Sequence, residues 1–279
     1  MGDGATLQEI DTGANACSVE WCPIAGLESY VACSTYLLAA GEQDDDTEQA
    51  GSKSHVADDT AFAVVGTCSS TGAASDGEEV AAAEKDAGAG QKRSGSVVIH
   101  RLVRDSPPPP AAAATASDET SPAGYLEEAA TAQLDGGVLD AKWSTHPADD
   151  GAAVLACVSS TGRLVLYSLS SGAEDVVGER VELRQVASSD VDDSLLLSLD
   201  WSRGTVSSAK IVVSQSDGRL AIWRLNPAGG APVQAVGPWH AHSLRGGIPT
   251  EAWISFFRRG SGDEDGSFVV SGADDGLMK

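Results

Sequence analysis

Ser160-Thr161-Gly162-Arg163-Leu164-Val165-Leu166-Tyr167-Ser168-Leu169 lies beside Ser216-Asp217-Gly218-Arg219-Leu220-Ala221-Ile222-Trp223-Arg224-Leu225 without a gap. Each stretch is a glycine turn feeding a strand, and Ser94-Gly95-Ser96-Val97-Val98-Ile99-His100-Arg101-Leu102 gives a weaker third copy. Upstream, a tryptophan closes another short alternating stretch: Ser18-Val19-Glu20-Trp21, Asp140-Ala141-Lys142-Trp143, Ser198-Leu199-Asp200-Trp201 and Thr250-Glu251-Ala252-Trp253. Between tryptophan and turn sits one more apolar strand, such as Tyr30-Val31-Ala32-Cys33 or Lys210-Ile211-Val212-Val213. Each unit therefore reads strand, strand, turn, strand.

Helix signals are nearly absent, because Ala- and Glu-rich stretches such as Glu127 to Ala132 are short and lack a sustained apolar stripe. The class is all-β. Repeating units of this kind, with Ser-Asp-Gly turns feeding strands that carry aromatics, form the pattern of a WD40-type β-propeller. The fourth unit reaches Lys279 where the other copies begin their third strand, so about three and a half blades are expected, the ring not closed. The expected division is 1–38 for the first part of blade 1, 39–95 for an acidic low-complexity insertion and 96–103 for the strand completing blade 1. A Pro/Ala-rich linker follows at 104–124, then blade 2 at 125–170, blade 3 at 171–227 and a truncated blade 4 at 228–279. Composition sets the two breaks: Gly, Ala, Ser, Asp and Glu dominate the first, and Pro107 to Pro110 followed by Ala111 to Ala114 stiffen the second. Both are expected to be irregular or disordered. An open propeller cut in this way is expected to be poorly stable, to aggregate and to be inactive alone.

Charge narrows the partners. With 41 Asp plus Glu against 18 Lys plus Arg, the formal net charge is -23, and the basic residues do not cluster, which argues against nucleic acid. No apolar run approaches the roughly 20 residues of a spanning helix, and the first residues lack a secretory pattern. The expected setting is therefore cytoplasmic, without membrane contact. Cys17, Cys22, Cys33, Cys68 and Cys157 are odd in number and include no CxxC pair, which fits a reducing compartment and offers no zinc framework.

Several segments carry more than the repeat: Ser18-Val19-Glu20-Trp21-Cys22-Pro23, Leu197-Ser198-Leu199-Asp200-Trp201-Ser202, Ala241-His242, Glu251-Ala252-Trp253-Ile254, and Ser271-Gly272 with Asp274-Asp275-Gly276-Leu277. Together they resemble the amino-terminal half of the WD-repeat diphthine methylesterases of the diphthamide pathway. The resemblance implies hydrolysis of the methyl ester of methylated diphthine on elongation factor two, releasing methanol before amidation to diphthamide. It further implies a protein substrate and a monomeric full-length enzyme. No organic cofactor or metal is expected, because the sequence holds neither a phosphate-binding glycine loop nor a metal-spaced His/Cys cluster. The alternative is a non-catalytic WD-repeat scaffold for other proteins.

Ester hydrolysis needs an activated water or nucleophile, a donor for the oxyanion and a proton for the leaving group. No GxSxG elbow occurs, which disfavours a serine hydrolase. The densest acid/base group is Trp239-His240-Ala241-His242 with Glu251 and Asp274-Asp275, making His240, His242, Asp274 and Asp275 the catalytic candidates. Against this, a His before the first strand and an Asp in the later turn commonly bond to stabilise a WD blade, and His242 with Asp275, 33 residues apart, fits that structural pair. His240 and Asp274 are then left to face solvent. Trp21, Trp143, Trp201 and Trp253 are expected to fill the core between blades.

Overall fold

The computed structural model describes residues 8–38, 93–104, 124–171, 181–191, 193–226, 230–258 and 268–279. The chain divides into two units, Met1–Ala39 with Lys92–Lys279, and Ala40–Gln91; the second lies outside the described residues. So do most of the acidic insertion expected at 39–95 and of the linker expected at 104–124.

Among the described residues all regular structure is β. Sheet one is a meander of β1 (Asn15–Trp21), β2 (Tyr30–Leu38), β3 (Arg93–Arg104) and β4 (Gly124–Asp135). Sheet two holds β5 (Val138–Trp143), β6 (Ala153–Ser159), β7 (Arg163–Ser171) and β8 (Val181–Asp190), and sheet three β9 (Leu196–Trp201), β10 (Lys210–Gln215), β11 (Arg219–Arg224) and β12 (Val233–His240). β13 (Ala252–Phe257) and β14 (Val269–Ala273) form a two-stranded fourth sheet. After the turn at Gly276, Met278 bridges Gly272, and Ser271 and Lys279 exchange amide-to-carbonyl bonds at 2.9 and 3.0 Å. A third strand of that sheet thus begins at the last residues. Three four-stranded blades and part of a fourth make an incomplete propeller with an open ring.

Alternation along each strand sends successive side chains to opposite faces, and the cores follow it. Leu155 and Cys157 of β6 pack with Tyr30, Ala32, Val97 and Ile99 of sheet one, beside Trp143. Val154, Ala156 and Val158 point the other way, against Leu199, Trp201, Ile211 and Val213 of sheet three. Each fully buried side chain of this size stabilises by about 1.5–3 kcal/mol.

Two sequence expectations change. The first concerns blade limits: Gly124–Asp135 pairs with β3 as the outer strand of sheet one, Val181–Asp190 with β7 in sheet two and Val233–His240 with β11 in sheet three, so the sheet boundaries fall later than those drawn at 125, 171 and 228. Outer strands bury little and carry no core pattern, so the sequence did not show to which sheet they belong. The second concerns the tryptophans. Trp143 and Trp201 fill the inter-sheet cores, but Trp253 is 46% exposed and Phe257 is fully buried in its place. Strand pairing accounts for it: Phe257 opposite Val269 holds the place of Trp143 opposite Leu155 and of Trp201 opposite Ile211, and Trp253 lies four residues before that core position. Trp21 is also half exposed, because it faces away from sheet two.

Candidate functional site

The turn at Gly218 accepts the Ala241 and His242 amides on its carbonyl, at 2.9 and 3.0 Å, and so fixes the chain entering the fourth sheet. His242 is 1% exposed. Its Nδ1 lies 3.0 Å from both Asp275 carboxylate oxygens and its Nε2 2.8 Å from Ser271 Oγ, an arrangement satisfied when Nδ1–H donates to Asp275 and the Ser271 hydroxyl donates to Nε2. Asp275 also accepts the Leu277 amide at 3.0 Å and pairs with Lys279 Nζ at 3.2 Å. Burial works to raise the Asp275 carboxyl, but the bonds from His242, Leu277 and Lys279 outweigh it and hold it at about 2. A carboxylate on Nδ1 and a serine hydroxyl on Nε2 is also the order of a hydrolase triad, but His242 and Ser271 are 1% and 2% exposed, so neither side chain faces solvent. The other two candidates lie elsewhere: His240 is exposed at the end of β12 opposite Arg219, and Asp274 is exposed and accepts the Trp253 indole N–H at 2.8 Å. Among the described residues no hydrogen bond or ion pair joins His240 to Asp274. Glu251 is half-buried before β13.

The innermost strands of all four sheets, β1, β5, β9 and β13, line one cleft of about 410 Å³. The Cys17 thiol enters it from β1 and donates to the Leu139 carbonyl at 2.8 Å. Lys142 of β5 places Nζ 3.7 Å from Asp140, whose other oxygen accepts the Leu199 amide at 3.0 Å. Asp200 of β9 accepts the Phe257 amide at 2.9 Å. Beside them, Glu20 accepts the Trp143 amide at 2.8 Å. Burial raises Glu20 and Asp140 above the usual carboxylate range; the Trp143 amide and then Lys142 oppose this at Glu20, and Lys142 and then the Leu199 amide at Asp140. Carboxyl groups shifted upward serve as proton acceptors or donors nearer neutrality, and an ammonium such as that of Lys142 can stabilise a developing oxyanion. The reading of the sequence missed this group, since its members come from three different repeats. A signal was present in the repeat alignment, where Glu20, Lys142 and Asp200 occupy one column and Ser18, Asp140 and Ser198 another.

No protein-family model matches the chain. It is 26% identical over 279 residues to a diphthine methyltransferase of Mus musculus, covering 98% of this chain and 44% of the relative. It is 27% identical over 278 residues to the Homo sapiens diphthine methyltransferase, covering 98% of this chain and 48% of the relative. A crystal structure of Sqt1 from Chaetomium thermophilum superposes with a TM-score of 0.46 at 12% identity, covering 92% of this chain and 41% of that one. The chain spans about half the length of the curated relatives it matches. The resemblance carried by residues 18–23 and 251–254 therefore stands: almost the whole chain is similar to part of a protein named for diphthine.

Proposed function

We propose that this protein acts in diphthamide formation by hydrolysing the methyl ester of methylated diphthine on elongation factor two. The observation that carries the reading is the alignment of nearly the entire chain with two proteins bearing the diphthine name. Their names say methyltransferase; the esterase chemistry comes from the family resembled by the segments around Trp21 and Trp253. The central cleft supports it, since Asp140 supplies an upward-shifted carboxyl for proton transfer beside the Lys142 ammonium. The free thiols of Cys17, Cys22, Cys33 and Cys157 suit a reducing, cytoplasmic setting.

The test is an assay on elongation factor two carrying methylated diphthine, using a polypeptide of the relatives' length that contains these 279 residues. Loss of one methyl group with release of methanol is the expected result. A methyl group gained in the presence of a methyl donor would select the transferase chemistry instead. Binding of the factor with neither change would select the scaffold.

A further inference from the structure

Between the third and fourth sheets the chain makes a small hairpin. Ser243 bridges Pro249, the Ile248 carbonyl accepts the Leu244 amide at 2.8 Å, and the Leu244 carbonyl accepts the Gly247 amide at 3.1 Å. Gly246 and Gly247 close the tip at φ +88° and +78°, and a Cβ on either would meet no atom within 4 Å beyond its chain neighbours. The tip therefore stands clear of the other described residues. Its legs are held: the carbonyl oxygens of His242 and Thr250 both lie against the Gly218 turn, His242 and Thr250 are buried, and Lys279 Nζ donates to the Ala241 carbonyl at 2.7 Å.

Leu244 and Ile248 stand opposite one another across the hairpin and so share one of its faces. They are 44% and 59% exposed, and Arg245, also exposed, follows Leu244 at the tip with no ion pair among the described residues. Because the base is fixed, the backbone that carries these side chains has little freedom to lose on binding. The leg at Thr250 comes three residues before Trp253, which lines the central cleft, so the base of the hairpin lies within about 10 Å of the cleft wall.

We propose that this hairpin docks the protein substrate beside the cleft, with Leu244 and Ile248 entering an apolar depression on elongation factor two and Arg245 pairing with carboxylates at its edge. The proposal rests on the function proposed above, because a modified residue on a folded protein reaches the cleft only when the surface around it meets the rim. Apolar side chains beside a guanidinium specify an apolar surface with an acidic border. Nucleic acid and anionic membranes do not fit, since the net charge of -23 repels both.

The test compares a polypeptide of the relatives' length that contains these 279 residues with its variant L244S/R245E/I248S, on two substrates: elongation factor two carrying methylated diphthine, and a short peptide with the same modified residue. All three substitutions fall on exposed side chains of the tip and leave the buried legs intact. The variant is expected to bind the factor at least about tenfold more weakly while hydrolysing the peptide as fast as the unmodified protein. Arg245→Glu alone should remove most of the salt dependence of factor binding. Unchanged affinity for the factor, or equal losses on factor and peptide, would overturn the docking site. Factor binding that the variant loses, with no methanol released from either substrate, would uphold the docking site and overturn the esterase reading.

Discussion

Both ring nitrogens of His242 are engaged, and the acid sensitivity of that site follows from its partner. Asp275 is held at about 2 in the folded protein against an ordinary value near 3.9 in an unfolded chain. A carboxyl depressed on folding contributes stability that is complete above the unfolded value and is lost as pH falls through the folded one. Thermal unfolding followed from pH 5 down to about 2 should therefore show a loss of stability that Asp275→Asn flattens; an unchanged acid limb would remove Asp275 from the account. Gly218 supports the same site from the other side. Its φ is +80°, and a Cβ there would collide with the His242 carbonyl oxygen and lie 2.7 Å from that of Thr250. Gly218→Ala is expected to cost about 2–4 kcal/mol in denaturant unfolding, since backbone on both sides must move. Neither effect depends on catalysis, so a stability measurement checks both.

Across the innermost strands, side-chain acceptors act as latches between sheets, and Glu20 isolates the latch from its charge. Burial raises its carboxyl, the Trp143 amide and Lys142 pull it down, and Asp140 and Asp200 add to the rise. A carboxyl raised on folding penalises the folded state above its folded value, and that penalty disappears below the unfolded value of about 4.3. Glu20→Gln keeps an acceptor for the Trp143 amide, so at pH 7 it should match or exceed the wild-type melting temperature, the difference closing below about pH 4. Glu20→Ala should instead cost about 1–3 kcal/mol by leaving that amide unpaired. A melting temperature lowered equally by both substitutions would show that charge, not acceptance, joins the sheets. Elements of this kind were partly legible in the sequence. Turns at Gly162 and Gly218 and apolar strands such as Ala153–Ser159 announce themselves because glycine geometry and burial both constrain them. Outer strands such as β4 bury little and leave no such trace, and in the fourth sheet the core aromatic is Phe257, four residues beyond the Trp253 that the repeat pattern suggested. The His242–Asp275 pair was readable from its spacing, whereas the cleft group required the sheets to be placed side by side.

At the level of the whole molecule two opposing forces act on its association. Val19 and Trp21 on sheet one, and Trp253, Ile254 and Phe256 on the fourth, present exposed apolar side chains that water disfavours. A net charge of -23 repels one copy from another. Salt shortens that repulsion to a Debye length of about 8–10 Å near physiological ionic strength while leaving apolar attraction in place. Light scattering from the purified chain is therefore expected to rise as salt is added, together with hydrophobic dye fluorescence at low salt that I254S/F256D reduces. Contacts made by ion pairing would behave oppositely, because screening weakens them. Scattering that falls with added salt, with dye fluorescence indifferent to the substitutions, would mean that charge, and not the open sheet faces, governs how these molecules meet.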